Sequence, residues 1–142
     1  MLVDANLLLY AVDRSSPFHQ KARPWWQERL NGSRQVGLPW PTIGAFVRIS
    51  THPRASARPL TVDQAWGYVA GWLAQPVTWT PTETDQHAEV LGELLLRHRV
   101  RGNLVTDAQL VALAICHGLA IVSADTDFAR FSEVTWTNPL AS

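Results

Sequence analysis

Short apolar runs alternate along the chain with longer segments in which apolar residues recur every three or four positions. Most of the runs are apolar at successive positions, which predicts strands that are buried on both faces. These predicted strands lie within residues 2–6, 35–39, 77–80, 119–125 and 134–137. Buried strands of this kind are typical of parallel sheets that are covered by helices.

The segments between the runs have the spacing of amphipathic helices. They cover residues 17–30, 40–51, 61–75, 82–99 and 104–118, with a short helical turn at 126–131. Thr61 and Gln64 form a capping-box pattern at one helix start, and Gly118 stands where another helix should end. The alternation predicts a single α/β domain over residues 1–142, a three-layer α/β/α arrangement with a mainly parallel central sheet.

The composition fits a soluble globular protein, with 46% hydrophobic and 17% charged residues. No apolar run approaches the roughly 20 residues that cross a bilayer. The first predicted strand begins too early to leave room for a signal peptide. Cys116 is the only cysteine, which excludes an internal disulfide and fits a reducing compartment. We therefore expect a cytoplasmic protein with no membrane partner.

The charges balance overall, but their types are unusual. Eleven of the twelve cations are arginine, and Lys21 is the only lysine. Without Asp4, Asp107, Asp125 and Asp127, the chain carries twelve cations against eight anions, which is a mildly basic body. Arginine suits bidentate contacts with phosphate and stacking on bases. The charge pattern therefore permits a nucleic-acid partner without requiring one.

Four aspartates stand at positions where the pattern predicts a strand end or a buried helix face. Asp4 and Asp125 each end an apolar strand, so in a parallel sheet they should lie at the same edge, where such sheets bind ligands. Asp107 lies in the first turn of a predicted helix, on an otherwise apolar face. Asp127 follows Asp125 by two residues. The pattern therefore predicts an acidic site at the carboxyl ends of the strands.

Each aspartate alone has an ordinary structural explanation, such as capping a helix or closing an Asx-turn. Together, however, clustered carboxylates repel one another unless a cation lies among them. The five histidines are scattered without the spacing of a zinc site, so a hard cation with oxygen ligands is favoured. We expect Mg²⁺, with Mn²⁺ able to substitute. On a phosphodiester, such an ion activates water and neutralises the charge that develops during in-line displacement.

Three motifs, in this order, resemble those of PIN-domain ribonucleases, and most closely those of the VapC group. They are VDAN at 3–6, TDAQLVALAICHG at 106–118 and IVSADTDFARF at 121–131. The resemblance covers essentially the whole chain. It implies a PIN-like fold and a Mg²⁺-dependent endoribonuclease, the toxic component of a type II toxin–antitoxin system. It also implies a homodimer that a VapB-like antitoxin holds inactive.

Carried over residue by residue, the resemblance assigns roles to four acids and two small polar residues. It implies metal binding by Asp4, Asp107 and Asp125, a further catalytic acid at Asp127, and site-orienting roles for Asn6 and Ser123.

One position departs from the pattern of this family. Many members carry a glutamate in the helix after the second strand, and here Phe46 stands where we expect that acid. The number of metal ions, one or two, therefore stays open. So does a second hypothesis, a catalytically weak or silent module that binds RNA or a partner protein. Arg48, in the same helix, either contacts the substrate or is a solvated helix residue.

A third hypothesis is a phosphotransfer protein, such as a receiver or a haloacid-dehalogenase-like phosphatase. These proteins also place aspartates with Mg²⁺ at the ends of strands. They need a lysine to hold the phosphoryl group, however, and Lys21 lies in a predicted helix far from the strand ends. The sequence therefore favours the nuclease.

Overall fold

The computed structural model describes residues 1–141 as five short strands and six α-helices. The strands are β1 (Leu2–Val3), β2 (Val36–Gly37), β3 (Thr78–Trp79), β4 (Ile121–Val122) and β5 (Trp136–Thr137). The helices are α1 (Ala5–Val12), α2 (His19–Leu30), α3 (Trp40–Ser50), α4 (Val62–Leu73), α5 (His87–Arg97) and α6 (Leu104–His117). A 3₁₀ helix, Thr126–Arg130, follows β4. Within residues 1–141, no helix combines the length and the apolar character needed to cross a membrane.

The strands form one sheet in the order β3-β2-β1-β4-β5, and each neighbouring pair is parallel. Leu2 of the central strand lies opposite Gly37 on one side and Ile121 on the other. The prediction of an α/β fold with a mainly parallel central sheet is confirmed. Each strand is only two residues long, shorter than its predicted run, because the chain leaves the sheet at once. After β1, for example, Asp4 already caps α1.

Side chains along the central strands alternate between two hydrophobic cores, one on each face of the sheet. Val3 and Val122 pack with apolar residues of α1, α2, α3 and α4. Leu2 and Ile121 pack instead with those of α5, α6 and the 3₁₀ helix. All four residues are buried. Helices on both faces give the predicted three-layer α/β/α arrangement and explain why the strand runs are apolar at successive positions.

Helix ends follow the sequence prediction where the cap is a local interaction. Thr61 and Gln64 form both hydrogen bonds of a capping box at the start of α4. Gly118 ends α6 with φ of 65°, which glycine adopts without steric cost. The predicted start of α5 at residue 82 is wrong, because Thr84 forms a turn whose carbonyl oxygen accepts from the His87 N–H at 3.0 Å. Residues 80–86 are therefore a loop that follows β3.

Gly37 allows β2 to lie close to β1. Its N–H donates to the Met1 carbonyl oxygen at 2.8 Å. A Cβ at this position would lie 3.0 Å from the Pro81 side chain and 3.1 Å from the Met1 oxygen, closer than ordinary contacts. A larger side chain would therefore push β2 away from β1, the strand that Asp4 follows.

Candidate functional site

Asp4 and Asp125 lie at the same edge of the sheet, as predicted. Asp4 directly follows β1 and is the N-cap of α1. Asp125 follows β4, which pairs with β1, and is the N-cap of the 3₁₀ helix. The Asp4 N–H donates to the Val122 carbonyl oxygen at 3.0 Å, so the two chain segments stay hydrogen-bonded at the point where they leave the sheet.

Asp107 and Asp127 join this edge from two other elements. Asp107 lies in the first turn of α6, where the positive end of the helix dipole favours a carboxylate. Asp127 lies in the 3₁₀ helix, and its N–H donates to the Asp125 carboxylate at 2.9 Å. One carboxylate oxygen from each of Asp107, Asp125 and Asp127 lies within 4.8 Å of the other two. We call these three residues the aspartate cluster.

Asp4 is held in a hydrogen-bond network centred on Ser123. Its carboxylate accepts from the Ala5 N–H at 2.8 Å and from the Ser123 hydroxyl at 2.7 Å. The Ser123 oxygen in turn accepts from the Asn6 side-chain amide at 3.1 Å and from the Asp125 N–H at 3.0 Å. Burial raises the pKa of Asp4; these two hydrogen bonds to its carboxylate oppose the shift, and the charge of Asp125 adds to it. The buried serine therefore links both strand-end aspartates.

The carboxyl of Asp107 has a strongly raised pKa. Burial, followed by the negative charges of Asp125, Asp4 and Asp127, raises the pKa of its carboxyl to about 6. The positive charge of Arg130 opposes this shift. A pKa raised by burial and by neighbouring like charges marks this carboxyl as a candidate functional group.

A cavity of about 130 Å³ lies beside Asp4 and Asp107. We call it the acid cavity; its walls come from the start of α1, from α3, from α6 and from residues just before and at the start of α5. Two of its lining residues, Glu83 and His87, have ionisable side chains and were not among the site residues predicted from the sequence. They belong to no motif, and they line the cavity because the 80–86 loop leads from the end of β3 to the start of α5 beside it.

Phe46 does not face the aspartates, so its predicted position at the site is wrong. Its side chain is completely buried and packs edge-on against Trp72, with ring centroids 4.8 Å apart. Ala45, one residue earlier, lines the acid cavity instead. The wall of the cavity that α3 forms therefore contains no acid. Arg48 is exposed and lies one helical turn beyond Ala45, on the same side of α3.

A larger cavity, of about 730 Å³, lies away from this site. It is formed by the end of α1, the residues that follow it, the second half of α3 and the 55–60 segment, and it contains none of the four predicted aspartates. The larger of the two cavities is therefore not the one that borders the predicted acidic site.

Comparison with known proteins shows the family to which this chain belongs. The model of the PIN domain family matches residues 1–134. Ribonuclease VapC33 of Mycobacterium tuberculosis is 41% identical over 140 residues, which span 99% of this chain and 98% of that relative.

Two crystal structures share the fold. VapC20 of Mycobacterium tuberculosis, a toxin that cleaves the sarcin–ricin loop, aligns with a TM-score of 0.67 and 20% identity over 94% of this chain and 98% of its own. VapBC2 from Rickettsia felis, bound to a DNA fragment from its promoter, aligns with a TM-score of 0.66 and 14% identity over 96% of each chain. Family model, sequence relative and fold agree: the chain belongs to the PIN domain family and, within it, to the VapC group.

Proposed function

We propose that this protein is a Mg²⁺-dependent endoribonuclease, the toxin of a type II toxin–antitoxin system, and that residues 1–142 form a single domain. The observation that carries the proposal is the aspartate cluster, three carboxylate oxygens within 4.8 Å of one another at the ligand-binding edge of a PIN domain. The ribonuclease names of its relatives support RNA as the substrate. Mn²⁺ would substitute for Mg²⁺, since both prefer oxygen ligands.

The residues present fit a divalent cation. Two oxygens that bind one Mg²⁺ at about 2.1 Å lie no more than about 4.2 Å apart, so the spacing of the aspartate cluster is close to that of a ligand set. Mg²⁺ needs only one or two protein carboxylates, because it keeps waters and binds substrate phosphates. In this proposal Asp4, Asp107 and Asp125 bind the ion, and Asp127 is a further catalytic acid.

The neighbouring residues would orient these carboxylates. Asn6 and Ser123 fix the side chain of Asp4 and the backbone of Asp125 through the hydrogen bonds described above. Such supporting partners hold ligands in place for the ion. Arg48 is exposed on the side of α3 that borders the acid cavity, and we propose that it contacts an RNA phosphate.

The cation would supply two things to phosphodiester hydrolysis, an activated water and neutralisation of the charge that develops on the phosphate. The protein would supply ionised carboxylates in fixed positions. Because an ion among them favours the ionised form, its binding would return the raised pKa of Asp107 towards the ordinary range. Cleavage should therefore depend on both the cation and the intact set of aspartates.

RNA cleavage should require Mg²⁺ or Mn²⁺ and should stop in excess EDTA. We would incubate the purified protein with total RNA from its host, with each ion alone and with chelator, and would follow the cleavage products on gels. Restoring activity with added Mg²⁺ controls for damage by the chelator. Full cleavage in excess EDTA would rule out the metal mechanism. No cleavage with either ion would favour the silent binding module, which the absence of an acid on the α3 wall supports.

We also propose that a VapB-like antitoxin binds this protein and covers the acidic site, inserting a cation such as arginine. The concentrated negative charge on a mildly basic body supports this, as do the toxin–antitoxin complexes among the structures of similar fold. Expression of the toxin alone should stop growth, and co-expression with the product of the neighbouring gene should restore it. A neighbouring protein that neither binds nor protects would contradict the proposal.

Light scattering would check the proposed homodimer, by a mass near twice 15.8 kDa.

A further inference from the structure

His87 occupies a position in the acid cavity that the proposed mechanism does not use. It is the first residue of α5, and its side chain lines the cavity together with Asp4 and Asp107. Its Nδ1 is buried and has no hydrogen-bond partner among residues 1–141. A buried nitrogen without a partner destabilises a fold, so its presence beside a chemical site calls for an explanation.

The other four histidines differ from His87 in this respect, because each uses a ring nitrogen in a hydrogen bond. The rings of His19, His98 and His117 pair with Tyr10, Glu133 and Thr82 at 2.9, 2.8 and 2.7 Å. The His52 ring accepts from the Arg54 N–H at 3.0 Å. Among the histidines of residues 1–141, His87 is thus the one with a buried ring nitrogen that lacks a partner, and no such bond fixes its ring orientation.

The size of the acid cavity limits what this ring could meet. About 130 Å³ holds a few water molecules, at about 30 Å³ each, or one phosphate group, and is too small for a nucleotide. The cavity is lined by three carboxylates, Asp4, Glu83 and Asp107, and by no lysine or arginine. Ionised carboxylates accept hydrogen bonds and repel a phosphate, so any phosphate that enters needs donors from other residues.

The uncharged side-chain donors that line the cavity are those of Thr42, His87, Thr106 and Gln109. The Thr42 hydroxyl already donates to the Val3 carbonyl oxygen at 2.8 Å, and Thr106 and Gln109 are exposed, whereas His87 is half-buried. An imidazole carries an N–H donor in either neutral tautomer, and its ring here is not fixed by a bond from Nδ1.

From these observations we infer that His87 contacts the substrate, donating a hydrogen bond from its ring to a non-bridging oxygen of the RNA phosphodiester in the acid cavity. The inference rests on the proposed nuclease function and adds a substrate-binding residue to it. In this arrangement the aspartates would hold the cation, and His87 would orient the phosphate from the α5 side of the cavity. Nδ1 is buried in the free protein, so a contact from this nitrogen requires the ring, which no Nδ1 hydrogen bond holds, to turn towards the cavity.

Four variants of the full-length protein test this inference. His87→Leu removes the donor but keeps an apolar side chain, His87→Asn and His87→Gln retain a donor near the positions of Nδ1 and Nε2, and His52→Asn is the control in an exposed loop. Each is assayed for cleavage of total host RNA with Mg²⁺ and for thermal unfolding in EDTA. Unfolding provides a readout that does not depend on the cation or on RNA.

We expect His87→Leu to lower kcat/KM by about 30-fold, the effect of losing a hydrogen bond to a charged group. Either His87→Asn or His87→Gln should recover most of this loss and so identify the nitrogen that donates. The melting temperature of His87→Leu should equal or exceed that of the wild type, because an unpaired buried nitrogen has been removed. His52→Asn should cleave RNA like the wild type.

Two results would overturn the inference while leaving the nuclease in place. One is wild-type cleavage by His87→Leu. The other is a lower melting temperature in all three His87 variants with cleavage reduced in proportion, which would make His87 a structural residue. If the wild type itself cleaves no RNA with Mg²⁺ or Mn²⁺, the proposed function fails and the inference fails with it.

Discussion

Asp125→Asn should lower the rate of RNA cleavage by about a thousandfold while the protein remains folded. The substitution removes one of the three charges of the aspartate cluster, and metal stabilisation of a phosphoryl transition state contributes several kcal/mol, at about tenfold in rate per 1.36 kcal/mol. The fold should tolerate the change, because asparagine caps helices as well as aspartate and can still accept from the Asp127 N–H. Single-turnover cleavage in Mg²⁺ and thermal unfolding in EDTA would measure both effects.

The matched control is Asp85→Asn. Asp85 is an exposed aspartate in the loop before α5 and does not line the acid cavity. Its replacement removes the same charge from the chain and should leave cleavage at the wild-type rate. If Asp125→Asn cleaves RNA within a few-fold of wild type, Asp125 is a cap for the 3₁₀ helix and not a ligand.

Asp107→Asn should abolish cleavage and yet raise the melting temperature in EDTA at neutral pH. The pKa of Asp107 is raised from 3.8 to about 6, so its ionised form is less stable in the folded protein than in the unfolded chain. At 1.36 kcal/mol per pKa unit the shift corresponds to at most about 3 kcal/mol. Because this side chain is only partly buried, solvent screening reduces the effect to about 1 kcal/mol, which is about 4 °C in melting temperature.

The sign of the pH dependence follows from the same shift. Between about pH 4 and pH 6 the folded protein binds more protons at Asp107 than the unfolded chain does, so wild-type stability falls as the pH rises through this range. Asp107→Asn lacks this group. The increase in its melting temperature over that of the wild type should therefore be full above pH 6 and should shrink towards pH 4. Melting curves in EDTA at pH 4, 5, 6 and 7.5 would measure it.

Added Mg²⁺ should narrow or reverse the difference in melting temperature between the wild type and Asp107→Asn. A ligand that binds only the folded state raises the melting temperature, and only the intact set of aspartates should bind the ion well. Mg²⁺ should therefore raise the melting temperature of the wild type more than that of Asp107→Asn. A variant that is less stable than wild type in EDTA, with equal shifts in Mg²⁺, would make Asp107 an N-terminal helix residue with no part in metal binding.

Much of the site's location could be predicted from the sequence because parallel strands carry it. An apolar run that ends in an aspartate indicates a strand end, and neighbouring parallel strands bring their carboxyl ends to one edge. Asp4 and Asp125 meet for this reason. The position of Asp107 could be predicted because this residue interrupts the apolar face of a helix that otherwise packs in the core. In each case the local pattern and the sheet topology agree.

The rest of the site depends on tertiary structure that no local pattern encodes. Glu83 and His87 reach the acid cavity because a turn at Thr84 delays the start of α5 and leaves a loop across the edge. Whether Ala45 or Phe46 faces the acid cavity depends on the rotation of α3 about its axis. That rotation is fixed when the Phe46 ring packs on Trp72. A difference of one residue turns a side chain by about 100° around a helix, and the sequence pattern does not resolve it.

Mn²⁺ binding, measured by electron paramagnetic resonance alongside RNA cleavage, tests most directly whether these aspartates hold the cation that cleavage requires. The wild type, Asp107→Asn, Asp125→Asn and the control Asp85→Asn would be titrated with Mn²⁺, and cleavage would be measured at each concentration. We expect wild-type cleavage to rise in step with bound Mn²⁺, Asp85→Asn to behave identically, and the two cluster variants to lose both. Cleavage that is saturated before Mn²⁺ binds, or that survives in either cluster variant, would contradict a metal-dependent nuclease built on these residues.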